Sequence, residues 1–366
     1  MATLDKSALG QPAGAEGKQA GERPADSLRF DLLAALLSVW FIGGLFLDGW
    51  AHNNGRVDNT FFTPWHAVLY SGYAAVGALM VITQFRNVTK GYAWTRALPR
   101  GYLLSLLGVI LFGFGGGFDF WWHSTFGFEA NVEALLSPAH LLLATGAMLF
   151  VSGPLRAAWG RRKADTPAGW AGFLPAFISL LGVLSLLTFF TQYSHFFNSP
   201  GVMVYPPQSD QHFFYDVFGV DSILIPAAIL MSVVLFALRR WTLPVGAITL
   251  LFTINSALMF FMRQGATEDF PLLLIVPVVG GVFADVLALW LKPSPKNVEA
   301  LRLFAFVVPF AMFTLYFILL NQIGLGLEGS SGLWWKIHMW LGTPVLAGAA
   351  GLFLSFLVAP PSVPAE

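Results

Sequence analysis

The stretch LDGWAHNNGRVDNTFFTPWHAVLY, residues 47–70, places Asp48, His52, Asp58 and His66 between two strongly apolar runs. Ionisable side chains next to segments greasy enough to cross a membrane are costly unless they pair or bind something. Residues i and i+4 share one helical face. Asp48 and His52 therefore converge on one point, as two ligands or as a carboxylate that orients an imidazole. Thr63 is a good N-cap and Pro64 suits the first helical position, which puts His66 in the first turn of the next helix. The positive end of the helix dipole disfavours imidazolium there, and neutral imidazole is the form that ligates metals. A hairpin that returns His66 beside Asp48 and His52 makes a complete small metal site.

The pattern occurs twice. In DFWWHSTFGFEANVEALLSPAHLLLATG, residues 119–146, Asp119-x3-His123 matches Asp48-x3-His52, and Ser137-Pro138-x-His140 matches Thr63-Pro64-x-His66. Both hairpins run the same way across the membrane, which predicts a parallel internal repeat about an axis near the membrane normal. If the two Asp residues point at that axis, all six ligands enclose one dinuclear pocket. If they point away, two single sites result. The Gly-rich flanks, with Gly115-Gly116-Gly117 before Asp119, favour close packing and the shared pocket. A pair of polar helix-capping hairpins with Asp–His hydrogen bonds is the plainer account of the same residues.

The elements that must position these residues are membrane helices. Of the 366 residues, 56% are hydrophobic and only 11% charged, against about a quarter charged in soluble domains. Ten apolar stretches of crossing length are found, near 31–51, 64–85, 101–122, 137–155, 171–194, 217–238, 242–262, 270–291, 301–322 and 334–357. The expected fold is an all-α, polytopic integral membrane helix bundle with the duplicated hairpin near its N-terminus. Residues 1–28 read as a disordered tail without the apolar core of a signal peptide. Residues 29–163 hold the hairpins (29–86 and 101–156), 170–358 the C-terminal helices and 359–366 a second tail. Basic residues gather in the loops on one side, including Arg86, Arg100, Arg161, Arg162, Arg239 and Arg240. The positive-inside rule then puts both termini in the cytoplasm and the protein in the inner (plasma) membrane. All seven histidines (His52, His66, His123, His140, His195, His212 and His338) fall at the opposite, outer end.

The formal net charge is zero, so bulk electrostatics give no case for nucleic-acid binding. The absence of cysteine excludes disulfides, thiolate metal sites and cysteine nucleophiles, and leaves nitrogen and oxygen donors for any metal.

The first motif resembles the metal motif in the C subunit of the particulate methane and ammonia monooxygenases. That family shows Asp-x3-His, a loop with Arg and Asp, then Phe-Thr-Pro-x-His and an aromatic residue. Arg56, Asp58, Phe62, Thr63, Pro64, His66 and Tyr70 fall into this pattern. The resemblance covers about twenty-five residues, and a local match speaks for a site more than for a whole function. The gap between the two histidines is one residue longer here, and the second copy lacks the Arg. The resemblance implies copper held by Asp48, His52 and His66, partner membrane subunits, and oxidation of an apolar small molecule.

Two histidines and one carboxylate also suit non-haem iron, and zinc remains a further alternative. Haem is disfavoured by the carboxylates. Asp58, Glu129, Glu133 and His195 are candidates for the surrounding shell. The competing functions are a copper or divalent-metal handling protein and an accessory subunit of a respiratory complex.

Overall fold

A computed structural model of the chain describes residues 22–56, 63–127, 132–198, 200–208 and 210–361. Asp58 and Glu129 lie outside the described residues, as does most of the N-terminal tail.

The described residues form helices and connecting turns. The first hairpin is α1 (Leu28–Asn53) and α2 (Pro64–Val88). The second is α3 (Leu103–Phe126) and α5 (Pro138–Val151), with the single-turn α4 (Val132–Leu136) between them. The fourth crossing continues past a Pro-containing joint at Ser152–Pro154 into α6 (Gly153–Gly160). The remainder comprises α7 (Trp170–Phe190), α8 (Gly201–Val204), α9 (His212–Arg240), α10 (Ala247–Met262), α11 (Gln264–Thr267), α12 (Ile275–Leu291), α13 (Val298–Leu325) and α14 (Ile337–Val358). Nine helices among the described residues are long and apolar enough to cross a membrane, and the chain is a polytopic helix bundle.

The seventh expected span, 242–262, is shortened to α10, whose 16 residues reach about 24 Å at 1.5 Å per residue. Two features fix its start. Gly246 sits at φ 86° in the left-handed region, where a side chain would be strained. Asp285 on α12 is buried and caps the helix from outside: it accepts from Thr249 N at 2.9 Å, Thr249 Oγ1 at 2.6 Å and Ile248 N at 3.3 Å. A carboxylate at a helix N-terminus meets orphan N–H groups and the positive dipole end.

The repeat read in the sequence is present in the packing. Gly72 on α2 lies against the Phe41 backbone, and an added Cβ there would stand 2.7 Å from Phe41 Cα and N. Gly146 on α5 lies in the same way against Phe112, with a Cβ 2.7 Å from Phe112 N. Phe41 and Phe112 each precede their Asp by seven positions, and the two glycines each follow their His by six. The same backbone approach is therefore built twice, each time about two helical turns before the Asp-x3-His unit.

The opposite end is fastened by charge. Asp31, near the start of α1, is buried, pairs with Arg161 after α6 and accepts from Tyr102 Oη before α3 at 2.7 Å. α7 packs on α1, α5, α6, α9 and α10 and is the most enclosed of the crossing helices. It forms the joint between the duplicated hairpins and the C-terminal helices.

Gly72→Leu should lower the midpoint of thermal unfolding in detergent, because overpacking against a main chain that cannot withdraw costs about 1–3 kcal/mol or more. Gly43→Leu, at a position with nothing within 4 Å of an added Cβ, should leave the midpoint unchanged. Equal midpoints for the two variants would contradict the close approach of α1 and α2.

Candidate metal centres

Each hairpin brings one Asp and two His together at its open end. Thr63 Oγ1 accepts from His66 N at 3.1 Å and Ser137 Oγ accepts from His140 N at 3.3 Å, so both N-caps form as their residue types dictate. Each capped first turn then presents its imidazole to the Asp at the end of the preceding helix. Asp48 Oδ2 is 3.8 Å from His52 Nε2 and 3.5 Å from His66 Nε2. Asp119 Oδ1 is 3.4 Å from both His123 Nε2 and His140 Nε2. The imidazole pairs repeat as well, with ring centroids 5.8 Å apart at 58° in the first set and 5.6 Å apart at 57° in the second.

In each set the three candidate ligand atoms lie within 4.8 Å of one another. Bonds of about 2.0–2.2 Å from a metal to nitrogen and oxygen place neighbouring ligand atoms about 3.3–3.8 Å apart in a trigonal or tetrahedral shell. The carboxylate–imidazole distances match that spacing. The six residues form two groups of three, each with its own carboxylate. The groups are nonetheless neighbours, since Asp48 and Asp119 act on each other electrostatically and His52 senses both His123 and His140.

The hydrogen bonding fits a cation better than an Asp–His pair. His123 Nδ1 lies 3.2 Å from the Gly127 carbonyl. A carbonyl only accepts, so Nδ1 carries the proton and, in neutral imidazole, Nε2 turns its lone pair toward Asp119. Acceptor then faces acceptor. His140 Nδ1 is engaged by Ser137 Oγ at 2.9 Å, which again leaves Nε2 for the centre. Imidazole held at one nitrogen by the protein and offering the other is the usual posture of a metal ligand. The two carboxylates are almost fully enclosed, and Asp48 Oδ1 and Asp119 Oδ1 make no hydrogen bond among the described residues. Buried polar atoms are rarely left so.

The end of α1 is fixed from the side of α7 and α10. Trp50 Nε1 donates to Gln264 Oε1 at 3.0 Å, Asn53 Nδ2 to Gln192 Oε1 at 2.9 Å, and Arg263 Nη1 to Asn53 Oδ1 at 2.9 Å. Sequence reading passed over these supports, because nothing in the spacing of Gln192, Arg263 and Gln264 links them to residue 53. The role of Ser137 beyond capping and the part of the Gly127 carbonyl were likewise missed, although an N-cap hydroxyl three residues before a His is a readable signal.

The other candidates are placed apart. Glu133 is exposed on α4 and belongs to neither group. His195 lies in the turn after α7, 1% exposed and stacked on Phe196 at 4.3 Å, outside both groups. Its Nδ1 accepts from Phe197 N at 3.2 Å. Burial, with a smaller contribution from the Arg263 charge, pushes its pKa down to about 3. His212 and His338 are exposed at the starts of α9 and α14.

A His with a folded pKa near 3 and an unfolded pKa of about 6.5 binds its proton more readily in the unfolded chain. Its burial leaves stability constant above about pH 6.5 and erodes it as pH falls toward 3. Thermal midpoints at pH 7 and pH 5 should therefore differ more in the natural protein than in His195→Gln. Equal pH slopes would show that His195 is not held neutral.

Comparison of the chain with protein-family models, with curated proteins and with solved structures found no match.

Proposed function

We propose that this protein is a membrane metalloprotein that holds copper at two Asp/His/His centres, formed by Asp48, His52 and His66 and by Asp119, His123 and His140. The observation that carries the reading is the pair of buried carboxylates, each faced by two imidazole nitrogens at metal-shell distances. An all-nitrogen-and-oxygen donor set with neutral imidazoles suits copper, and also iron and zinc. The motif resemblance to the monooxygenase C subunits selects copper among them.

The residues divide the work. Asp48 and Asp119 supply the negative charge that draws a cation into an apolar end of the bundle. The four imidazoles complete the shells, and Ser137 and the Gly127 carbonyl keep two of those rings turned inward. Bound copper would supply one-electron redox chemistry. Around the centres, Trp50 packs edge-on against Trp65 at 5.7 Å, and Phe118, Trp121, Trp122 and Phe126 form a further aromatic group. That surround is suited to an apolar small molecule, and with the resemblance it supports a role as a copper-dependent oxidoreductase subunit working with other membrane subunits. The basic residues at the far end support, through the positive-inside rule, a cytoplasmic location for both termini and an outward-facing pair of centres in an inner (plasma) membrane.

Metal analysis of the protein purified from membranes tests the reading. One equivalent of copper is expected for each intact triad. Asp48→Ala/His52→Ala and His123→Ala/His140→Ala should each lose one equivalent, and the combined variant both. Retention of iron or zinc instead would reassign the metal, and copper content unchanged in the combined variant would end the proposal.

A further inference from the structure

The two hairpins meet along one face of α2, on which His66, Tyr70 and Tyr73 follow at helical spacing. The Tyr73 hydroxyl donates to the Val109 carbonyl of α3 at 2.9 Å. Tyr70 crosses to the same helix one turn nearer the centres. A Cβ added at Gly116 would stand 3.0 Å from its hydroxyl, so the phenol rests closely on α3 at a glycine. Gly116 is one helical turn before Asp119, and the Tyr70 ring lies 6.3 Å from that of His66. The phenol thus stands between a ligand residue of each centre. Both carboxylates lie within electrostatic reach of it. The second hairpin carries Ala144 at the matching place, four residues past His140. No phenol is returned from that side, and the repeat is broken at this point.

We infer that Tyr70 is a positioning residue for the second centre, its hydroxyl reaching across the hairpin boundary to orient the Asp119 side of that centre and make the two centres inequivalent. The inference rests on the metal-binding reading above. A hydroxyl beside a ligating carboxylate holds it in its binding orientation and tunes its basicity, and loss of such a partner typically weakens metal affinity about 10–100-fold. Because the phenol comes from α2, the packing of the two hairpins and the affinity of the second centre are linked, whereas the first centre receives no matching group from α5.

The test uses the full chain in detergent with Cu(II) as the probe. Asp48→Ala/His52→Ala leaves only the second centre and keeps His66 beside Tyr70, and His123→Ala/His140→Ala leaves only the first. Tyr70→Phe, which preserves the ring and its packing, is added to each background. Competition titration with a chelator should show copper held about 10-fold or more weakly at the second centre, with a changed Cu(II) electron paramagnetic resonance signal. At the first centre both affinity and signal should stay as they were. An unchanged second centre, or an effect confined to the first, would overturn the assignment. If neither background binds copper, the metal reading itself fails. If both bind and Tyr70→Phe changes nothing, only the role of Tyr70 falls.

Discussion

A carboxylate enclosed at the end of an apolar helix has few ways to exist. Taking such a charge out of water costs several kcal/mol even after relaxation, and a partner must offset it. Asp48 and Asp119 meet that constraint in the same manner, each opposed by two imidazole nitrogens and neither, among the described residues, completing a hydrogen bond through its Oδ1. The rest of the open end of the bundle follows from this need. The hairpins must close tightly enough to bring a capped helix start back to the helix end that carries the Asp. Small residues at Gly72 and Gly146 permit that closure by letting backbones touch.

The other end of the bundle answers the same constraint differently. Asp31 is equally buried, but it is met by a fixed cation, Arg161, and by a donor, Tyr102 Oη. Asp285 is met by main-chain and hydroxyl donors at the start of α10. These two carboxylates are satisfied within the chain and serve to fasten helices. The contrast gives the paired Asp/His/His groups their meaning. Where this protein needs a structural carboxylate it supplies full hydrogen-bond donors, and at the two centres it supplies imidazole nitrogens at ligand distances instead.

The two Asp/His/His groups are alike, and their surroundings are not. The first is braced through Trp50 and Asn53 on α1 by Gln192, Arg263 and Gln264 from the C-terminal part of the chain. The second is braced within its own hairpin by Ser137 and the Gly127 carbonyl. Only the first hairpin carries a tyrosine one turn past its histidine. Two Asp/His/His groups with the same residues thus differ in what surrounds them, and under the metal-binding proposal such surroundings would tune each centre.

Much of this was determined by the sequence alone. Apolar runs of crossing length can only be helices in a bilayer, since backbone groups must be satisfied internally, and the positions of Asp48, His52, Asp119 and His123 at i and i+4 follow from helix geometry. The Thr63-Pro64 and Ser137-Pro138 caps announced where the partner histidines begin their helices. The local rules held because each concerns atoms within one turn. The sequence reading favoured one shared pocket of six ligands; the tertiary structure gathered each set of three around its own carboxylate, with the two carboxylates in electrostatic reach of each other. It also shortened α10, through a carboxylate on α12 that no spacing rule connects to it, and took His195 into a separate buried turn. It carried Tyr70 across to the neighbouring hairpin. Each of these depends on how one helix is rotated and displaced against another. That is set by the summed packing of side chains distant in sequence, which leaves no periodic mark on the chain.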